Sequence, residues 1–264
     1  MSRTLILSGL GLNCEEETEL VCRRAGGKQI DVVHFLDFVA GKYPLANYDF
    51  LIFIGGFLDG DHLGSARMAV NRLKFQMNDF KEQMESFLNR DCLVLGICNG
   101  FQLLVKLGFF PDEGELLQKQ RISLTQNTIG KFENRWVHLT VPEQSPCIFT
   151  EGVQSLYLPV RHGEGRLVIE DNDETEGSIL NQNLVALQYT LPGGEIAVDY
   201  PENPNGSWNS VAGLTNKKGN VFGLMPHPEA YHHYTHHPSW TKNPLEKEDG
   251  EGMQIFRNAY KYLS

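Results

Sequence analysis

This sequence predicts an α/β fold, an open and mostly parallel sheet with helices on both faces, extended by a β-rich elaboration. Three observations carry that expectation. Within the first 110 residues, strand-length apolar runs alternate with helix-patterned stretches, the order that builds a parallel sheet. Those runs are apolar throughout, as strands covered on both faces are, instead of alternating like strands with one wet face. After about residue 120 the pattern shifts to short β-like runs broken by turn residues.

Thr4–Ser8 reads as the first strand, and 15–24 as a helix stopped by Gly26-Gly27. Ile30–Phe35 is a second strand, and Phe50–Ile54 a buried third that ends at Gly55-Gly56. Val70, Leu73, Met77, Phe80, Met84 and Phe87 step by three or four, so one long helix is expected from about Ser65 to Leu88. Cys92–Ile97 is an all-apolar strand, followed by a short helix over 100–107 closed by Gly108. Beyond it, 131–141, 155–158, 166–169, 184–189 and 221–225 are strand candidates. Residues 230–250 read as an irregular excursion, and 252–263 as a closing helix. With no repeat, low-complexity tract or linker, residues 1–264 are expected to form a single domain.

Composition narrows the function. Lys and Arg number 23 against 33 Asp and Glu, a net charge of −10, which argues against holding nucleic acid or an anionic membrane by electrostatics. No apolar run approaches the ~18 residues of a membrane span, and no signal-peptide pattern opens the chain. Five cysteines form an odd set without framework spacing, which suits a reducing compartment. The expectation is a soluble cytoplasmic protein with no nucleic-acid or membrane partner.

In a parallel sheet the ligand site lies beyond the carboxyl ends of the strands, which directs attention to the segments after Ile54 and Ile97. Gly96-Ile97-Cys98-Asn99-Gly100 is a G-x-nucleophile-x-G elbow with Cys in the nucleophile's place. Such a turn is too tight for side chains at its glycine positions, and the helix behind it aims its positive end at the sulfur. A thiol nucleophile needs a base, and the base an orienting group. Pro226-His227-Pro228-Glu229 offers both, because the two prolines exclude a helix and an extended chain projects residues i and i+2 to one side. The Asn99 N–H lies where an oxyanion would form, and Gly55-Gly56-Phe57 can bring a second donor close. His232, His233, His236 and His237 have the spacing H-H-x-x-H-H, but Pro238 and the lack of an H-E-x-x-H carboxylate make them a solvated or packed loop, so no metal is expected. Cys14, Cys22, Cys92 and Cys147 read as core or surface thiols. No phosphate-binding loop or dinucleotide fingerprint is present, so no cofactor is expected in this chain.

G-I-C-N-G-F-Q at 96–102 with P-H-P-E at 226–229 resembles the class I (triad) glutamine amidotransferases, which have a flavodoxin-like sheet. Within that class the chain is similar to the glutaminase subunits of phosphoribosylformylglycinamidine synthases. The similarity runs through G-L-N-C at 11–14, F-E-N-R-W-V at 132–137, R-H-G-E-G-R at 161–166, N-P-N-G-S at 203–207 and A-G-L-T-N at 212–216. The resemblance implies that Cys98 attacks the side-chain amide of L-glutamine, His227 shuttles protons and Glu229 orients His227. It implies an oxyanion site at Gly56, Phe57 and Asn99, and a grip on the glutamine backbone groups by Gln102 and the His162-Gly163-Glu164 turn. It also implies that ammonia passes to a separate synthetase subunit using ATP and magnesium, and it admits a small accessory subunit. The chain departs from the pattern at Phe57-Leu58-Asp59-Gly60-Asp61, where F-S-Y-G-D is usual, and at Ala230, where Arg is common. Two other readings share the triad: a stand-alone cysteine hydrolase resembling γ-glutamyl peptidases, and an amidotransferase subunit for another acceptor.

Overall fold

A computed structural model describes residues 2–111, 116–117, 120–170, 173–242 and 248–264, so residues 243–247 of the expected excursion lie outside the described residues. The first half runs β1 (Arg3–Ser8), α1 (Glu15–Arg24), β2 (Gln29–His34), α2 (Phe35–Val39), β3 (Phe50–Phe53), α3 (Arg67–Phe75), α4 (Phe80–Asn89), β4 (Leu93–Ile97) and α5 (Asn99–Leu107). The second half begins with β5 (Ile122–Thr125), β6 (Glu133–Thr140), β7 (Ser155–His162) and β8 (Arg166–Ile169). It continues with α6 (Asp173–Asn181), β9 (Val185–Thr190), β10 (Val211–Thr215), β11 (Val221–Leu224) and α7 (Met253–Tyr262).

Nine strands form one sheet in the order β2-β1-β3-β4-β11-β10-β9-β6-β7, and β5 pairs with β8 separately. From β2 to β11 the pairing is parallel, and every residue of β3, β4 and β11 is buried, which accounts for their uninterrupted apolar sequences. Beyond β11 the pairing is antiparallel. The β-rich elaboration therefore extends the parallel sheet itself. It also curls back. Although β7 is the far edge strand, its Val160 bridges Pro226, just past β11, and the Pro159 carbonyl accepts the His227 N–H at 2.8 Å. That closure sets the backbone of β7 beside the ends of β4 and β11.

The long helix expected over 65–88 is two helices. After Phe75 the amides of Gln76 and Met77 both bond the Arg72 carbonyl, and Phe80 restarts on Met77. Asn78-Asp79 lies at the break, and both residue types compete with the helical ladder through their own side chains. The apolar stripe survives the break, because Leu73, Met77, Phe80, Met84 and Phe87 are all buried. Aromatic contacts tie the two halves of the chain together: Phe50 of β3 packs on Phe149 and on Tyr260 of α7, and Phe149 packs on Phe222 of β11. No helix among the described residues is long and apolar enough to cross a membrane.

Candidate active site

The elbow between β4 and α5 is held by close contacts on every side. A methyl group on Gly100 would run into the Phe53 carbonyl of β3, and one on Gly96 would come within 2.6 Å of Leu104 and 2.8 Å of the Gly100 backbone. With the glycines packed this tightly, Cys98 is forced to φ 51 and ψ −102, a conformation that costs a non-glycine residue about 1–3 kcal/mol. Two hydrogen bonds hold it there: the Cys98 N–H donates to Leu224 of β11 at 2.7 Å, and the Cys98 carbonyl accepts from Gln102 at 3.0 Å. The thiol donates to the Arg161 carbonyl of β7 at 3.5 Å. Asn99 is the first residue of α5, so its N–H has no acceptor within the helix.

His227 follows β11 and is 3% exposed, and Glu229 is 1% exposed. Nδ1 of His227 lies 2.6 Å from Glu229 Oε1; the two residues meet as expected, but across a 3₁₀ turn over Pro228–Ala230 that His227 caps, where an extended chain was expected. Burial pushes the imidazole down, but the Glu229 charge first, then the Cys98 charge and the neighbouring thiols of Cys14 and Cys98, more than offset it. His227 is held well above the ordinary histidine value. An imidazole paired with a carboxylate and facing a thiol can take up and return a proton.

A cavity of about 200 Å³ opens onto these groups, lined by Asn13, Cys14, Gly56, Phe57, Cys98, Phe132, Asn134, Arg161 and His227. A wider depression of about 540 Å³ beside Lys28, Arg257 and Lys261 contains neither thiol nor imidazole. Gly56 has φ +136, and a Cβ there would meet Leu12 and the Gly11 carbonyl at 2.6 and 2.7 Å. Its loop is pinned to residues 11–13 because Phe57 donates to Gly11 at 2.9 Å and Asn13 to Gly55 at 3.3 Å. The Phe57 amide is thus spent, and Phe57 contributes its ring, 6.4 Å from that of Phe132. The departure at Leu58 is absorbed structurally, because the side chain is buried and its N–H donates to Asn99 Oδ1 at 3.3 Å.

Gln102, His162, Gly163 and Glu164 stand one layer behind the cavity wall. Gln102 accepts from Asn99 Nδ2 at 2.9 Å and donates to the Glu164 carbonyl at 2.7 Å. The Glu164 carboxylate is engaged by the Ser65 hydroxyl at 2.5 Å. His162 is buried with Nδ1 3.2 Å from Asn127 Oδ1, and burial pushes its pKa down to about 3. Asn205 and Ser207 of the N-P-N-G-S loop both donate to the Gly165 carbonyl, fixing the H-G-E-G turn. Sequence reasoning passed over Asn13, Cys14, Phe132, Asn134 and Arg161 as cavity-lining residues. Asn13 and Cys14 were open to discovery, since the rule about strand carboxyl ends applies to β1 as well as to β3 and β4.

A doubly wound sheet with a thiol on its elbow and an imidazole–carboxylate pair across from it is the layout of the glutamine amidotransferases. Residues 1–263 match the CobB/CobQ-like glutamine amidotransferase domain, and the chain belongs to that family. It is 39% identical over 260 residues to the phosphoribosylformylglycinamidine synthase subunit PurQ of Dehalococcoides mccartyi, covering 98% of this chain and 97% of that one. It is 37% identical over 275 residues to the subunit of the same name from Methanococcus maripaludis, covering 99% and 97%. Among solved structures, a chain in the structure of PurLQS from Thermotoga maritima aligns over 100% of both chains with a TM-score of 0.69 and 27% identity. A glutamine amidotransferase of that organism, at 16% identity and a TM-score of 0.55, shares the fold.

Proposed function

We propose that this chain is the glutaminase subunit of a phosphoribosylformylglycinamidine synthase, working in the cytoplasm in de novo purine synthesis. The observation that carries the reading is the strained Cys98 thiol facing the buried His227–Glu229 pair, in a chain collinear with PurQ subunits over nearly its whole length. Cys98 gives its proton to His227 and attacks the side-chain carbonyl carbon of glutamine. The Gly56 and Asn99 N–H groups hold the resulting oxyanion, and Glu229 keeps the imidazolium oriented. His227 returns the proton to the amide nitrogen, which leaves as ammonia, and a γ-glutamyl thioester remains on Cys98. Water, deprotonated by His227, attacks that thioester, and its collapse frees glutamate and the thiol.

Ammonia released into water would protonate and lose its nucleophilicity, so it passes to a synthetase subunit, where ATP and magnesium belong. Replacing Cys98 with Ala is expected to abolish glutamine-dependent amidation by the reconstituted complex and to spare ammonia-dependent amidation. Loss of both in a complex that still assembles overturns the assignment of Cys98. Glutamate release by the isolated chain at the rate of the complex moves the stand-alone hydrolase to first place.

A further inference from the structure

Cys14 has no role in the chemistry above, yet it is 6% exposed and lines the same cavity as Cys98 and His227. It stands at the start of α1, where the chain leaves β1, and the parallel pairing of β1, β3 and β4 carries it to the site. One ligand atom each from Cys14, His227 and Glu229 lies within 4.8 Å of the others, and all three residues are buried. Glu229 Oε2 and His227 Nε2 are buried without a hydrogen-bond partner. Gly55 leaves the space between thiol and ring clear: a Cβ on it would stand 2.8 Å from His227 Cε1 and 3.3 Å from Cys14 Sγ.

We propose that Cys14, His227 and Glu229 form a binding site for a thiophilic divalent cation, zinc above all, and that the bound ion switches the glutaminase off. One sulfur, one imidazole nitrogen and one carboxylate oxygen are a zinc donor set, with bonds of about 2.3, 2.0 and 2.1 Å. Around a tetrahedral ion those bonds place donors ~3.5 Å apart, a separation that side-chain rotation supplies. The cavity gives the ion its entry path and leaves the fourth position to water.

Charge balances as well. The thiol proton of Cys14 leaves as one Zn²⁺ arrives, so the Cys14 thiolate and the Glu229 carboxylate together match the charge of the ion. Neutral imidazole has a single lone-pair nitrogen, the other carrying the proton. An ion on that nitrogen leaves His227 unable to accept a proton from Cys98. The ion is therefore an inhibitor, and resident metal is no part of the reaction. The binding stands on geometry alone, whereas the inhibition rests on the glutaminase reading.

Cobalt(II) tests the two parts separately, because thiolate-to-cobalt charge transfer reports the sulfur ligand directly. In the full chain carrying Cys98→Ser, Cys14 is the one thiol left on the cavity wall. Added Co²⁺ is expected to produce the charge-transfer absorption there, to lose it to added Zn²⁺, and to give none when Cys14→Ser is added. Absence of the band in folded Cys98→Ser, or its persistence without Cys14, overturns the site. In the complex with its synthetase, Zn²⁺ is expected to inhibit glutamate release. Cys14→Ser is expected to raise the half-inhibiting concentration more than about tenfold, each enzyme being referred to its own zinc-free rate. Unchanged zinc sensitivity overturns the inhibitory role. An absence of glutamate release from the unmodified complex counts against the function and leaves the cobalt result standing.

Discussion

His227 and the four histidines that follow it closely in sequence occupy opposite environments. His227 is 3% exposed and pairs with a carboxylate, and its pKa is raised well above the ordinary histidine value. His232 is half-buried and packs edge-on against His236, with ring centroids 4.5 Å apart. It also lies 3.0 Å from the Arg24 guanidinium. Burial first, and then the charges of His236, Arg24 and His233, push it down to about 4. One ring is poised to carry a proton, while the other is held neutral by burial and, after it, by neighbouring cations. The histidine-dense segment is thus the inert one, and the isolated histidine between two prolines is the reactive one. Enclosure beside a carboxylate makes a base, and clustering alone does not.

The comparison is broken most decisively at His227 itself. His227→Ala is expected to lower glutamate release by about 10⁴-fold or more, nearly as much as loss of Cys98. Because the two act as a unit, the double variant is expected to be no slower than either single one. Additive losses in a kinetic comparison of the three would show that His227 and Cys98 act independently.

Glu229→Gln sharpens the same contrast at a smaller magnitude. The substitution preserves shape and removes the charge that offsets burial of the imidazolium, so a loss between about 10² and 10⁴ is expected. It also removes the chief charge raising His227, so the ionisation seen in the kcat pH profile is expected to move to lower pH. A Glu229→Gln enzyme slower than His227→Ala, or one with an unmoved profile, contradicts an orienting role.

What the sequence revealed of this site was local. The elbow glycines, the thiol and the P-H-P-E pair are each contained within a few residues, so spacing exposes which groups meet, although the P-H-P-E backbone turns in a 3₁₀ helix where an extended chain was expected. The strands β3 and β4 were legible for a similar reason, since burial on both faces leaves an unbroken apolar run. Cys14 was not legible as a neighbour of His227, because 213 positions separate them and only parallel pairing across the sheet brings them together. The curl that seats the Arg161 carbonyl against Cys98 depends on one bridge, Val160 to Pro226, and no periodicity announces it. Helix α6 escaped because D-E-T-E-G-S-I-L-N carries Gly177 and too few apolar residues to draw a stripe. The break at Asn78-Asp79 was masked by the opposite effect, a stripe that continues through it.

His162 provides a third environment, buried without a carboxylate, and its effect is on stability. The folded chain keeps it neutral down to about pH 3, whereas the unfolded chain protonates it below the ordinary value. The unfolded state therefore takes up the extra proton, and stability falls as pH drops from about 6.5 toward 3 by up to about 1.4 kcal/mol per pH unit. His227 has the opposite sign: its contribution is fully present below the ordinary value and is lost as pH rises through its raised folded value. Urea unfolding of His162→Asn between pH 4 and 6 is expected to show a shallower pH slope than the parent, whatever its absolute stability. Equal slopes would mean that His162 is protonated in the folded chain.

The smallest effect belongs to the histidine cluster. Replacing His232, His233, His236 and His237 together with Asn is expected to change glutamate release by less than about twofold, as surface substitutions away from special features do. Arg24 loses the His232 ring but keeps the His232 carbonyl at 3.2 Å and the Asp249 carboxylate at 2.8 Å, so α1 stays tied to the segment. The substitution removes the His233 and His237 Nδ1 acceptors of Thr235 and Ser239, but backbone bonds from Tyr234 to Glu248 and from Gly252 to Tyr231, both at 3.0 Å, stay intact. Among the described residues these histidines do not assemble with others into a metal-holding group, whereas Cys14, His227 and Glu229 do. Metal analysis of untagged protein is therefore expected to give the same zinc content before and after the substitutions. A variant that loses stoichiometric zinc, or most of its glutaminase rate, would return the H-H-x-x-H-H spacing to consideration as a ligand set and erase the distinction between the two groups of histidines.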